Sequence, residues 1–151
     1  MTESSRHANA VKAIKKLLVS MDATVYENDD SRGHGGWKLP PIQTDKGTKQ
    51  YILDVFARLP DGSFIDVEVD YFRKGTPIAA DKMFFRDHIL SQFGITTIRC
   101  QPMNVDLWLD EPKLFIQEVY YWKQKQKERL QNFQTKQKLP RFPMEPKTVV
   151  Q

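Results

Sequence analysis

Apolar residues recur every three or four positions in the first part of the chain. Val11, Ile14, Leu17 and Leu18 follow this spacing, and lysines fall between them. This period places the apolar side chains on one face of a helix and the charged ones on the other. The pattern therefore predicts an amphipathic helix from Arg6 to Met21.

The clearest pattern is a pair of β-rich runs in the middle of the chain. Residues 51–59 and 64–72 are separated by the sequence Pro60-Asp61-Gly62-Ser63. Such a sequence between two β-rich runs is typical of a tight turn, so it predicts a β-hairpin. The segment before the hairpin, residues 27–48, is polar and rich in glycine. It predicts a long loop or a pair of short irregular strands.

The second half of the chain predicts a strand that lies between two helices. After a loop at residues 74–80, a helix is predicted from Asp81 to Phe93, and Gly94 follows where helices commonly end. Residues 95–98 form a short buried strand, and a strand–helix–strand unit favours parallel pairing through a right-handed crossover. A last helix is predicted from about Glu111 to near Gln137, and the prolines beyond it prevent further helix.

These elements follow one another in the order α-β-β-α-β-α. That order predicts an α/β (α+β) fold with a small mixed β-sheet and flanking helices. A chain of 151 residues suits a single compact domain. We expect residues 1–138 to form this domain and residues 139–151 to form an extended C-terminal tail.

Composition narrows the class of protein. The chain is 40% hydrophobic and 28% charged, which is ordinary for a globular domain. No apolar run approaches the roughly 20 residues of a membrane helix, and the first residues lack the apolar centre of a signal peptide. A single cysteine, Cys100, excludes a disulfide framework and a cysteine-based zinc site. The expected location is cytoplasmic or otherwise intracellular, with DNA.

Positive charge is concentrated near the end of the chain. The net charge is only +4, but residues 123–141 hold seven basic residues and one acidic residue. This segment predicts either a surface that meets a polyanion or a solvated helix face.

The second strand of the hairpin carries an acidic face. Side chains alternate along a strand, so Asp66, Glu68 and Asp70 share one face. Crowded carboxylates repel one another and require positive charge nearby. If Leu59 pairs with Phe64, Asp54 lies opposite residue 69, beside Glu68. Such a cluster suits Mg²⁺, Mn²⁺ or Ca²⁺, although lysines or arginines of the chain could supply the charge instead.

Four segments together resemble the PD-(D/E)XK nucleases, and most closely their very-short-patch-repair-like endonuclease branch. They are YILDVF at 51–56, VEVDYF at 67–72, FRDHILSQFGI at 85–95 and ITTIR at 95–99. The resemblance implies a restriction-endonuclease-like core and a nuclease whose metal, Mg²⁺ or Mn²⁺, is held by Asp54, Glu68 and Asp70. It also implies that Arg86, Asp87 and Arg99 assemble the site or contact phosphate.

The sequence departs from the family pattern at three places. The lysine expected two residues after Glu68 is Asp70, and the glycine and histidine expected after that position are missing. A glutamate expected on the first helix is absent between Arg6 and Met21, with Glu27 the nearest candidate. Arg86, Lys74 and Lys82 are the candidates to replace the missing lysine, with Arg86 and Lys74 taken as catalytic.

The expected partner is double-stranded DNA, bound by a homodimer, a higher homo-oligomer or a single chain. The residues expected to contact DNA lie in the glycine-rich loop, after the acidic strand and on the last helix: Arg32, His34, Lys38, Arg73, Lys74, Lys123 and Lys127. Restriction, homing and repair roles remain open, as does RNA as the substrate. The alternatives are an inactive nuclease-fold protein that binds DNA, and a structural or interaction protein whose acidic strand pairs with its own lysines.

Overall fold

The computed structural model describes residues 3–31, 33–69, 77–132 and 149–150. Its helices are α1 (Glu3–Ser20), α2 (Pro77–Gln92), α3 (Pro102–Asp110) and α4 (Pro112–Asn132). Its strands are β1 (Thr24–Tyr26), β2 (Trp37–Lys38), β3 (Ile42–Thr44), β4 (Gly47–Lys49), β5 (Ile52–Leu53), β6 (Val55–Arg58), β7 (Phe64–Val69), β8 (Ile95–Cys100) and β9 (Val149–Val150).

A five-stranded sheet with the order β8-β7-β6-β1-β9 forms the centre of the fold. Strands β7 and β8 are parallel and are connected through α2, whereas the other neighbours in the sheet are antiparallel. The small pairs β2–β5 and β3–β4 form between β1 and β6 in the chain. The predicted class, a small mixed sheet with flanking helices, is confirmed, and so is the parallel crossover.

The register of the hairpin differs by one residue from the predicted one. Arg58, and not Leu59, pairs with Phe64, and Val55 pairs with Val67. The turn is therefore one residue longer than predicted and includes Leu59. The backbone N–H of Leu59 bonds to the carbonyl of Ser63 within this turn. The shift places Asp54 level with Glu68.

Several boundaries also differ from the sequence prediction. Strand β1 and helix α3 were not predicted, and α2 begins at Pro77, inside the predicted loop. Proline at the first position of a helix loses no hydrogen bond there, which explains the early start of α2 at Pro77. The far end of the predicted last helix, residues 133–137, and most of the predicted tail lie outside the described residues. Residues 149 and 150 pair with β1.

The two faces of the sheet are covered by different layers. Ile65, Val67 and Val69 of β7 belong to a core that also contains buried residues of α1, α3 and α4. The opposite face packs against α2 and the segment that precedes β6, through a second cluster that includes Trp37 and Phe56. The predicted alternation along β7 is confirmed. Its acidic residues therefore face α2.

In the described parts of the chain, none of the helices combines the length and the apolar character that crossing a bilayer requires.

Removal of the Phe115 ring should destabilise the fold strongly. Phe115 is fully buried on α4 and contacts Trp108 edge to face, with ring centroids 5.0 Å apart. We expect Phe115→Ala to lower the free energy of unfolding by about 3–5 kcal/mol, as for other buried aromatic residues. Urea denaturation measures this change. Phe84→Ala is the matched control, because the Phe84 side chain is 61% exposed; equal losses in the two variants would contradict this packing.

Candidate functional site

The carboxylates of β7 are paired with an arginine of the same chain. Arg86 reaches from α2 over β7, and its Nη2 atom lies 2.9 Å from Glu68 Oε1 and 3.2 Å from Asp66 Oδ2. Both carboxylates are buried, Asp66 completely. A charge so far from water requires a partner, and Arg86 supplies one.

One guanidinium cannot neutralise two carboxylates, and the pKa values reflect this. Burial raises the pKa of Asp66, and burial together with the neighbouring Asp66 raises the pKa of Glu68 well above its usual range. Burial also opposes the charge of Arg86, but the two carboxylates outweigh it and raise the pKa of the guanidinium. The pair therefore holds a proton to higher pH than ordinary carboxyl groups do.

The ion pairs continue from Arg86 to β8. Arg86 Nη1 lies 3.4 Å from Asp87 Oδ1. Arg99 then binds Asp87 in the two-pronged geometry that matches a guanidinium to a carboxylate, with Nη2 2.7 Å from Oδ1 and Nε 2.9 Å from Oδ2. Alternating charges thus fix the orientation of Arg86. The resemblance implied that Arg86, Asp87 and Arg99 assemble the site or contact phosphate. These three residues do lie together.

Asp54 is joined to the acidic strand through the backbone. It occupies the break between β5 and β6, and its N–H donates to Glu68 Oε2 at 2.7 Å. In return, its own Oδ2 accepts the N–H of Val69 at 3.1 Å. These two bonds take the place of the backbone-to-backbone bonds of a regular strand pair. They hold Asp54 and Glu68 beside each other.

The carboxylate of Asp54 also meets two histidines. His7 Nε2, from the first turns of α1, lies 3.2 Å from Asp54 Oδ2, and His34 Nε2 lies 3.8 Å from Oδ1. The two imidazole rings are tilted against each other, with centroids 4.9 Å apart. Donor atoms of the three side chains all lie within 4.8 Å of one another, and the three could hold a metal ion.

The loop that carries His34 is held against α1 by Lys15. The buried Lys15 Nζ donates to the carbonyls of His34 and Gly35, at 2.7 and 2.5 Å, and lies 3.1 Å from Glu27 Oε2. Gly35 has φ +73°, and an added Cβ there would lie 2.0 Å from Glu27 Oε1. The backbone beside His34 is therefore fixed by a cation and by a residue without a side chain. Glu27, the nearest candidate for the helix glutamate, serves this structural ion pair.

Three of the predicted catalytic residues, Asp54, Glu68 and Arg86, are brought together. Asp70 and Lys74 lie outside the described residues, as do Arg32 and Arg73 from the predicted DNA contacts. Lys82 is exposed on α2.

The remaining predicted DNA contacts differ in their surroundings. Lys38 and Lys127 are exposed, whereas Lys123 binds Asp61 of the hairpin turn at 2.8 Å and thereby lowers the pKa of that carboxyl. The sequence predicted that His34 lies on an open loop, but its side chain is buried. Lys15 of α1 bonds to the carbonyl of His34 and holds the loop against that helix.

His7 was missed by the sequence analysis. Its signal was its position, three and four residues before the buried Ala10 and Val11, which places it on the apolar face of α1. The spacing of residues in the sequence could not reveal which carboxylate His7 would contact. Asp54, its partner, is 47 positions away.

The raised pKa of Glu68 predicts a pH dependence of stability. A carboxyl that binds its proton more tightly when folded stabilises the fold when protonated, and this stabilisation is lost as pH rises through the raised pKa. Relative to wild type, Glu68→Gln should therefore gain stability as pH rises above the ordinary value of 4.5, by at most about 1.4 kcal/mol per pH unit. Urea denaturation at several pH values measures the difference. Glu111→Gln makes the same change at an exposed position, and the same trend in both would contradict the assignment.

Two glycines of the His34 loop provide a second, matched test. Gly33 and Gly35 both have positive φ, but nothing lies within 4 Å of a Cβ added to Gly33. Gly33→Ala should cost about 1 kcal/mol from backbone strain alone. Gly35→Ala should cost up to about 1 kcal/mol more than Gly33→Ala, because its methyl group also displaces the Glu27 carboxylate from Lys15. Thermal or urea unfolding compares them, and equal costs would show that the loop is not held as described.

Comparisons with known proteins leave the site to be interpreted from its own geometry. No protein-family model, no curated protein and no solved structure matches the chain. The function of the site must therefore follow from the chemistry of its side chains and their contacts.

Proposed function

We propose that this protein is a divalent-metal-dependent endonuclease that hydrolyses phosphodiester bonds of double-stranded DNA. One observation carries the proposal. Asp54, immediately before β6, and Glu68, on the neighbouring strand β7, are joined by the bond from the Asp54 N–H to Glu68 Oε2. The resemblance to PD-(D/E)XK nucleases implies an Asp on one strand and a Glu or Asp on the next as metal ligands, and this contact supports those roles.

The chemistry of the two carboxylates fits Mg²⁺ or Mn²⁺. Mg²⁺ is bound in many phosphate-handling sites by one or two carboxylates, with waters and substrate oxygens completing the shell. Asp54 and Glu68 would supply these two ligands. Glu68 already uses one oxygen toward Arg86 and the other toward the Asp54 N–H, but each carboxylate oxygen has two lone pairs and can accept more than one partner.

A bound divalent cation would activate water and stabilise the charge that develops on the phosphate. The chain itself supplies a second positive charge at the same place. Arg86 lies against Glu68 and is held in orientation by Asp87 and Arg99. A fixed guanidinium is suited to a phosphate oxygen, because its planar fork donates two parallel hydrogen bonds. Arg86 thus takes the role of the missing lysine in this proposal.

Exposed lysines would attract the DNA backbone. Lys38 lies on β2, directly after the loop that carries His34, and Lys127 lies on α4. Contacts of this kind release counterions, so DNA affinity should fall steeply with salt concentration.

A second candidate function is supported by the same arginine. Arg86 pairs with both Asp66 and Glu68, so the buried carboxylates have charge compensation within the chain. A nuclease-fold protein that binds DNA without cutting it would retain such pairs. The two candidates differ in whether cleavage depends on Asp54 and Glu68, and this is what the experiment measures.

Cleavage should require both carboxylates and a divalent cation. Purified protein is incubated with supercoiled plasmid and with high-molecular-weight genomic DNA, which offers a wide range of recognition sequences, in Mg²⁺, Mn²⁺ or EDTA. We expect Asp54→Asn and Glu68→Gln each to reduce the cleavage rate at least about 100-fold, since the metal and its ligands carry the chemistry. Asp106→Asn, an exposed carboxylate on α3, is the matched control and should cut normally.

The alternatives give distinct results in the same assay. Cleavage that survives both substitutions, or persists in EDTA, would assign the activity to a contaminant or to other residues. Salt-sensitive DNA binding without cleavage on either substrate, by a protein whose circular dichroism shows that it is folded, would favour the binding-only candidate. Absence of both binding and cleavage would exclude both.

A further inference from the structure

We propose that His7, His34 and Asp54 form a binding site for a divalent transition-metal ion such as Zn²⁺, Co²⁺ or Ni²⁺. This site shares Asp54 with the proposed nuclease centre but has a different donor set. It concerns binding and does not depend on cleavage, so it stands or falls separately from the proposed function.

The first argument is the convergence of three donors from three separate elements. His7 comes from α1, His34 from the loop between β1 and β2, and Asp54 from the break between β5 and β6. Ligands at metal bond lengths of about 2.0–2.2 Å lie roughly 3–3.5 Å from one another around one ion. The distances to the Asp54 oxygens, 3.2 Å from His7 and 3.8 Å from His34, are close to that spacing.

The second argument is that the ligands are held before any ion arrives. Asp54 is fixed through the N–H groups of Val69 and of its own backbone. His34 is fixed by the bond from Lys15 to its carbonyl and by the conformation of Gly35. Fixed outer contacts of this kind orient metal ligands and increase affinity. Asp54 and His34 are therefore held in place by contacts outside the cluster.

The third argument concerns burial and access. The side chains of His34 and Asp54 are only 3% and 4% exposed, so water competes poorly for the inner two ligands. The His7 side chain is 21% exposed and forms the outer wall. An ion could enter past His7, with its remaining coordination positions directed toward solvent or a ligand.

The donor types select the class of metal. Neutral imidazole is a poor ligand for Mg²⁺ and Ca²⁺, which prefer oxygen, but it suits Zn²⁺, Co²⁺, Fe²⁺ and Ni²⁺. Two imidazoles with one carboxylate form a set that leaves coordination positions open, as in catalytic and not in closed structural sites. The site should thus discriminate against Mg²⁺, unlike a site made from Asp54 and Glu68 alone.

The chain provides its own control, because it contains three histidines and only two are in the cluster. His88 lies on α2 and contacts Gln92. Untagged protein is titrated with Co²⁺ and Zn²⁺ by calorimetry, with Mg²⁺ as a competitor. We expect one ion per chain, a loss of affinity of at least about tenfold in His7→Gln and in His34→Gln, and no change in His88→Gln. The visible spectrum of bound Co²⁺ should change in the first two variants only.

A measurement on the wild-type protein removes any dependence on how the variants fold. Co²⁺ is paramagnetic and broadens the NMR signals of nearby nuclei, so it should broaden the ring signals of His7 and His34 before that of His88. The proposal is overturned if all three histidine signals broaden alike, if His88→Gln weakens binding as much as His7→Gln, or if Mg²⁺ displaces Co²⁺ at equal concentration. Since none of these readouts involves DNA, failure of the nuclease assay does not affect them.

Discussion

The pairing of Arg86 with the buried carboxylates of β7 is the interaction on which the rest of the site depends. Strand β7 is apolar on the face toward α1 and acidic on the face toward α2. Helix α2 can cover the acidic face only because it brings a guanidinium with it. Without that charge, packing α2 there would leave Asp66 and Glu68 buried and uncompensated, at a cost of several kcal/mol per ion. The same contact therefore serves packing and, in the proposed nuclease, would also serve the chemistry.

The break at Asp54 joins strand β7 to helix α1. A regular strand would use the backbone N–H of residue 54 in the ladder, and its side chain would follow the alternation. Instead the N–H bonds to the Glu68 side chain, while the Asp54 carboxylate accepts the N–H of Val69 and contacts His7 of α1. One residue thus contacts both β7 and α1. Irregularities of this kind commonly occur next to functional sites, where they redirect a side chain.

The sequence was sufficient for those parts of the fold that depend on local periodicity. The hairpin, the acidic face of β7 and the crossover to β8 followed from alternation and turn residues. The register did not follow, because a one-residue change in the turn shifts every pair and depends on how Leu59 and Ser63 bond. Strand β1 is three residues long, too short to carry a period, and exists through its neighbours.

The histidine cluster shows the same limit at the level of the site. His34 reads as a member of an open glycine-rich loop until Lys15, 19 positions earlier, is known to bind that loop's carbonyls. His7 acquires meaning only when the fold brings Asp54 to it. Asp54 itself was identifiable, because a carboxylate inside an apolar run is unusual wherever the run lies. Residues that are unusual locally could be found from sequence, whereas those defined by distant contacts could not.

The position of β9 has a consequence for how copies of the protein meet. An outer strand of a sheet exposes a row of unpaired amide and carbonyl groups that can accept a strand from another chain. Val149 and Val150 pair with Tyr26 and Val25, and so occupy this row on β1. The outermost strand on that side is therefore only two residues long, and so short an edge offers few groups to a strand from another chain.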